Sequence, residues 1–219
     1  MMLAGACTGG IVVVRRDRLR ESRHHTGPMR VVAGTAGGRR LVGPTGPGLR
    51  PTSDRVKESM FNALYSLGAI DTAVVLDLFA GTGALGIEAL SRGAKRAVFV
   101  ENSQSGAHLV RQNLATCGLE DRAEVIVADG PTWVRSDQTE WDLVLLDPPY
   151  DFDSWPGLLN SMETVPPGSV VMVESDHQFD PGPRWHVEST RRHGSTVVML
   201  MRSAPETNQQ TRPTGSHHQ

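Results

Sequence analysis

Two stretches of this 219-residue chain carry residue types that could do chemistry. In the first, Asp77-Leu78-Phe79-Ala80-Gly81-Thr82-Gly83-Ala84-Leu85-Gly86, a carboxylate precedes a glycine loop. Glycines let the backbone approach a ligand closely, and a helix opening behind them favours negative charge. The spacing formally fits the G-x-G-x-x-G of a dinucleotide site, so a nicotinamide-dependent oxidoreductase is one reading. An anionic Asp77 beside that loop argues against a pyrophosphate and suits the ammonium of an amino-acid moiety. The second stretch is Asp147-Pro148-Pro149-Tyr150. Prolines fix φ and donate no hydrogen bond. The Asp147 carboxylate and the Pro148 carbonyl are therefore pure acceptors in a rigid turn, which is what a flat N–H₂ group needs. Tyr150 adds a π-face on which a base could stack, worth about 1–3 kcal/mol.

The elements that must position these residues alternate from residue 72 onward. Apolar, β-branched runs at 73–76, 97–100, 124–128, 141–146 and 169–174 read as strands. Segments 84–92, 105–116 and 154–163 read as helices, the first two stopped by Gly93 and Gly118. Residues 185–190 and 195–201 form a final antiparallel pair. Continuous apolar strands between amphipathic helices mean a mostly parallel sheet covered on both faces. On that plan Asp77, Glu101, Asp129 and Asp147 end the first four strands, at the edge where open α/β sheets bind ligands. Glu101 can accept from both hydroxyls of a ribose and Asp129 from an adenine amine.

Ahead of this unit, residues 30–34 and 39–43 are strand-like around Thr35-Ala36-Gly37-Gly38, giving an N-terminal β-hairpin. A Gly/Pro loop follows at 43–50. Thr52, Ser53 and Asp54 offer helix-capping oxygens, and Val56, Met60, Phe61, Leu64 and Leu67 lie on one helical face. The organisation expected is a disordered extension at 1–28, a hairpin, loop and helix at 29–70, a catalytic unit at 71–202 and a disordered tail at 203–219.

Composition narrows the partners. The net charge of −2 hides an asymmetry, since residues 15–57 sum to +8 and the remainder to −10. A basic arm on an acidic body suits a nucleic-acid partner. Cys7 and Cys117 fit a reduced, cytoplasmic setting without disulfides. The eight histidines lack ligand spacing, so no metal is expected, and no stretch approaches the about 20 apolar residues that span a membrane.

Taken together, D-x-F-A-G-T-G-A-L-G and D-P-P-Y resemble S-adenosylmethionine (SAM)-dependent methyltransferases of exocyclic amines. With MRVVAGTAGGRRL, GLRPTSDRVKESMFNAL, FVENS and DLVLLDPPY, residues 29–201 resemble the RsmD family, which methylates guanine N2 in 16S ribosomal RNA. That resemblance implies a Rossmann-like α/β fold with a seven-stranded sheet. It implies that Asp77 and the backbone of Phe79, Ala80, Gly81, Thr82 and Gly83 surround the methionine part of SAM. Glu101 would hold the ribose, with Asn102, Asp129 and Gly130 at the adenine. Asp147, Pro148, Pro149 and Tyr150 would hold the guanine. Arg50, Pro51, Thr52 and Arg55 would close the cofactor's amino-acid end or meet RNA, and Arg39 and Arg40 would contact phosphate. The implied partner is 16S rRNA, free or in a small-subunit particle, with a monomeric enzyme. Competing readings are an adenine-N6 DNA methyltransferase and a non-catalytic RNA-binding module. A protein-glutamine methyltransferase would carry Asn in place of Asp147.

Overall fold

The computed structural model describes residues 29–43, 54–149 and 151–204. The expected extension at 1–28, most of the Gly/Pro loop and the tail from residue 205 lie outside the described residues.

The alternation expected from residue 72 is observed. The strands are β1 (Val74–Asp77), β2 (Arg96–Glu101), β3 (Ala123–Val127), β4 (Leu143–Leu146), β5 (Val170–Ser175), β6 (Trp185–His193) and β7 (Thr196–Ser203). The helices are α1 (Asp54–Ser66), α2 (Ala84–Ser91), α3 (Gln104–Cys117), α4 (Gly130–Trp133) and α5 (Trp155–Asn160). One sheet runs β3-β2-β1-β4-β5-β7-β6. Its first five members are parallel, while β7 runs antiparallel to β5 and to β6.

Strand residues alternate between two cores, as the pleat requires. Val75, Phe99, Leu143, Leu145 and Met172 meet α1, α2 and α3 on one face. Leu76, Val98, Val144, Leu146 and Val173 meet Trp141, Trp155 and Leu158 on the other. Each such fully buried apolar side chain stabilises the fold by roughly 1.5–3 kcal/mol. The left-handed glycines Gly93 and Gly118 end their helices as expected.

Several elements differ from expectation, and β6 runs on to His193, three residues past the expected end at 190. The helix expected at 154–163 ends at Asn160, because the Ser161 hydroxyl donates back to the Leu158 carbonyl at 2.7 Å and tighter turns follow. Met162 and Val165 stay buried even so, which is why the apolar period outlasts the helix. The fourth strand starts at Leu143, since Trp141 is held instead by its indole N–H on Asp137 at 2.6 Å. Short α4 was not expected from periodicity; the Asp129 carboxylate caps it by accepting from the Thr132 N–H at 3.1 Å. At the far end, Ser203 belongs to β7 and not to the tail.

The N-terminal segment meets itself in a single antiparallel bridge, Arg30 to Arg40, flanked by Val31 N–H to Arg39 O at 3.0 Å and Leu41 N–H to Met29 O at 2.8 Å. Other backbone groups are satisfied by its own turns and by side chains of α1, α2 and α3. Fully buried Glu88 on α2 accepts from Val32 N–H at 2.7 Å and Ala33 N–H at 3.0 Å, and pairs with Arg92 at 2.7 Å. Ser91 accepts from Ala36 N–H, and its backbone carbonyl accepts from Thr35 N–H. Gly34 has φ +83°, and a Cβ there would stand 1.9 Å from the Ser91 carbonyl oxygen, so only glycine lets the segment seat this closely. Lys57, the polar member of the buried face of α1, lies 3.9 Å from Glu88 and donates to the Arg30 carbonyl. Burial lowers its pKa from the usual lysine value, against the pull of Glu88.

Candidate active site at the carboxyl edge of the sheet

Strand order reverses between β1 and β4: β2 and β3 extend the sheet one way, β5 and β7 the other. Such a switch point opens a crevice beyond the strand ends. Asp77 pairs in register with Leu145, so the glycine loop after β1 and Asp147-Pro148-Pro149 after β4 are neighbours there.

Asp77 is 1% exposed. Its Oδ2 accepts the Gly86 N–H at 2.9 Å, an approach possible because a Cβ on Gly86 would collide with the Phe99 ring at 2.3 Å. Burial pushes its carboxyl up to about 7; the Gly86 hydrogen bond opposes this and the Glu101 charge adds to it. A buried acid with one backbone donor is suited to a cation arriving from the crevice. The loop itself is braced from below. Ala80 N–H bonds the Val100 carbonyl at 3.0 Å, and buried Asn113 on α3 donates to the Thr82 carbonyl at 2.9 Å. The same Asn113 side chain accepts from Val42 N–H at 2.7 Å and donates to Val42 O at 3.0 Å, which ties the N-terminal segment to the glycine loop.

Glu101, at the end of β2, is partly exposed. Its Oε2 accepts from Gly81 N–H at 2.9 Å, and its Oε1 accepts from the Ser103 N–H at 3.0 Å and the Ser103 hydroxyl at 2.8 Å. Ser103 in turn caps α3 through Gly106 N–H at 3.0 Å. A Cβ on Gly106 would lie 2.7 Å from the Glu101 carboxyl, so this glycine makes the seat. Asp129 stands two residues past β3, exposed, holding Thr132. Gly130 follows it, where a Cβ would meet the Leu78 carbonyl at 2.9 Å. Asn102 is exposed between Glu101 and the α3 cap.

The recess beyond β4 is shallow, open to solvent and about 230 Å³ in volume, walled by Asp147, Pro148, Pro149, Trp155 and Glu174. Glu174 was missed in the sequence because the run Ser169-Val170-Val171-Met172-Val173-Glu174 reads as a buried strand whose last residue could face either way. It is 5% exposed. Burial, then the negative charges of Glu174 and Asp77, raise the Asp147 carboxyl well above its ordinary value. Behind the recess Phe79, Phe152, Trp155 and Phe179 form an aromatic ladder, with Trp155 and Phe179 stacked at 4.7 Å and 10°. Tyr150 and Arg50 lie outside the described residues.

Of the arginines expected to meet RNA, Arg40 bridges to Arg30, which holds Asp54 beside Arg55 at the start of α1, whereas Arg39 turns to α3. Arg39 is exposed but donates to the Thr116 carbonyl at 2.6 Å, in the last turn of α3, whereas Glu101 and Ser103 sit at the start of that helix. About 20 Å of helix separates the two ends. Arg40 is exposed on the same segment, and Arg55 is exposed in the first turn of α1. Part of the basic arm is neutralised internally, Arg30 by Asp54 at 2.7 Å and Lys57 by Glu88. Among the described residues no helix is long and apolar enough to cross a membrane.

Residues 29–202 match a family model described as Conserved hypothetical protein 95. Ribosomal RNA small subunit methyltransferase D of Haemophilus influenzae is 39% identical over 157 residues, covering 68% of this chain and 80% of that protein. Its Escherichia coli counterpart is 40% identical over 125 residues, 57% of this chain and 62% of that protein. Among solved structures, the candidate methyltransferase yhhF of Escherichia coli superposes with a TM-score of 0.72 at 31% identity, covering 81% of this chain and 99% of that one. An RNA methyltransferase from Salinibacter ruber, solved with S-adenosyl-L-homocysteine, shares the fold with a TM-score of 0.56 at 24% identity, covering 74% and 98%.

Proposed function

Since the chain belongs to the Conserved hypothetical protein 95 (RsmD) family and is a SAM-dependent rRNA methyltransferase, we propose that it methylates the exocyclic N2 amine of a guanine in small-subunit (16S) rRNA. The observation that carries this reading is the adjacency of β1 and β4, which sets the Asp77 glycine loop beside the Asp147-Pro148-Pro149 acceptors.

SAM supplies an electrophilic methyl on a sulfonium, and the residues here fit it. Asp77 accepts from its ammonium, and the backbone from Phe79 to Gly83 lines its methionine part. Glu101 keeps one lone-pair site, on Oε2, for a ribose hydroxyl after serving Gly81 and Ser103, and Asn102, Asp129 and Gly130 border the adenine. Asp147 and the Pro148 carbonyl accept from the guanine N2 hydrogens, so the nitrogen lone pair turns toward the methyl. Pro149 keeps that turn rigid and Tyr150 stacks on the base. When bound, SAM would supply the methyl and keep the departing electron pair on its sulfur, and the proton shed by the amine would pass to solvent or to the Asp147 or Glu174 carboxylate. Positioning of this kind can supply roughly 7–11 kcal/mol of the barrier. An unpaired or flipped guanine is required, as in a splayed rRNA loop.

In this reading Arg39, Arg40, Arg50 and Arg55 contact phosphates, residues 29–70 serve RNA and residues 71–202 the chemistry. The enzyme acts as a cytoplasmic monomer on rRNA or an assembling small subunit. Transfer of tritiated methyl from SAM to small-subunit rRNA, followed by nucleoside analysis, is expected to label N2-methylguanine. Label in N6-methyladenine, or preference for DNA, would replace guanine N2 by the adenine reading, and no label would leave a binding module.

The cofactor assignment makes a separate prediction. Glu101→Ala is expected to weaken SAM by about 1–3 kcal/mol, the scale of a lost charge-assisted hydrogen bond. Calorimetry returning wild-type affinity would remove Glu101 from the ribose site.

A further inference from the structure

The recess that would take the base is itself acidic, with Asp147, Glu174 and Asp176 on its walls. A polyanion brought to it needs compensating cations close by, and the N-terminal arginines do not all supply them, since Arg39 is engaged at the far end of α3. The strand register points elsewhere. Ser175 and Glu174, which wall the recess, pair with Val197 and Val198 of β7; these pair in turn with Arg192 and Arg191 of β6. Two strand spacings put the backbones of these arginines about 10 Å from the recess wall, on the same edge of the sheet. Both side chains are exposed. The pleat separates them: Arg191 lies opposite Val198, which faces the α1 side, and Arg192 opposite Val197, which faces the α5 side.

On the α1 side, Arg191 Nη1 donates to the Ser59 hydroxyl at 3.4 Å. Ser59 lies four residues after Arg55 on one helix, so both occupy one face of α1. Thus Arg191 reaches α1 one turn from Arg55, and Arg192 stands on the other face of the same edge. A groove of about 210 Å³ runs between α1 and the β6–β7 pair, walled by Ser59, Ser189, Arg191 and His193. The Nε2 of His193 is buried there without a hydrogen-bond partner among the described residues.

We propose that the carboxyl end of β6, through Arg191 and Arg192, is an RNA-backbone contact of this enzyme, holding phosphates next to the nucleotide that enters the recess. The proposal rests on the rRNA reading above. It differs from the N-terminal contacts in lying on the edge that carries the chemistry, with cations on both faces of that edge.

The test uses the full chain carrying Arg191→Ala and Arg192→Ala together, and a second protein with Arg191→Lys and Arg192→Lys. Binding to a small-subunit rRNA fragment is measured across a salt series, with SAM affinity and methylation kinetics in parallel. The alanine pair is expected to flatten the slope of log affinity against log salt by about 1.5–2, the release of two phosphate contacts. KM for RNA rises about tenfold, with kcat at saturating RNA and SAM affinity unchanged, because phosphate contacts position without touching the reacting atoms. The lysine pair, which keeps the charge, restores the slope. An unchanged slope in the alanine pair overturns the proposal. So does a loss of SAM affinity matching the loss of RNA affinity, which would make the arginines structural. So does a defect seen only on protein-containing particles, which would assign this strand end to a protein partner. If the wild-type chain binds and methylates no rRNA, the rRNA reading falls first and this proposal with it.

Discussion

Asp147→Ala is expected to bind SAM as the wild type does and to transfer methyl at least about 100-fold more slowly, since a misplacement of about 1 Å at the reacting atoms already has that effect. Asp147 stands at the end of β4 and walls the base recess, while the glycine loop that lines the methionine part follows β1. Alanine removes one of the two acceptors for the amine and leaves the Pro148 carbonyl alone, so the base binds with its lone pair unaligned. The loss falls on kcat and on kcat/KM together, as for an interaction made in the transition state. Removing a carboxyl held above its ordinary pKa relieves an unfavourable burial, and circular dichroism and thermal melting of the variant check that its fold is kept. Single-turnover kinetics with pre-bound SAM measure the step directly. Turnover within a few-fold of wild type would show that Asp147 does not hold the amine.

The second large effect separates stability from function at Asp77. Its carboxyl is buried and titrates at about 7 in the folded protein against an ordinary value of 3.8. The folded state therefore holds the proton more tightly than the unfolded chain. The associated stability is fully present below about 3.8 and is lost as pH rises through about 7, a span of about 4 kcal/mol. Asp77→Asn is neutral at every pH and keeps an acceptor for Gly86 N–H. In the absence of SAM, it should exceed the wild type in denaturant stability at pH 8 by a few kcal/mol, on the order of that span. The advantage vanishes near pH 4. The same substitution removes the partner of the SAM ammonium and weakens SAM by about 1.5–3 kcal/mol. Wild-type SAM binding should also weaken as pH falls below about 7, with proton release on binding, and this dependence should be absent from the variant. Equal stability of the two proteins at pH 8 would sink the account of Asp77 as a strained buried acid.

The residues that carry these expectations were legible to different degrees. Asp77, Glu101, Asp129 and Asp147 could be placed at strand ends because an apolar run closed by an acid encodes a buried strand and its exit, a glycine or proline sharpening that exit after Asp129 and Asp147. Glu174 was not legible, because a terminal glutamate on such a run gives no sign of which neighbour it will face. Arg191 and Arg192, between the expected strands 185–190 and 195–201, fall within β6, and the register sets them beside the recess. Arg39, singled out by charge, is partly consumed by a helix terminus that lies 77 residues away in the chain.

By itself the sequence determined the periodicities, the stops and the chemistry available at each strand end, since these follow from local sterics and from which side chains avoid water. It determined in the same way that a parallel sheet must be covered on both faces. The order β3-β2-β1-β4-β5-β7-β6 was decided only in three dimensions, and with it the meeting of the Asp77 loop and the Asp147 turn. So were the burial of Glu88, Lys57 and Asn113 beneath the N-terminal segment and the raised carboxyl pKa values at the crevice. The physical reason is that neighbours in a sheet are chosen by long-range packing, and that a charge's free energy depends on the groups around it in space, which a local pattern does not specify.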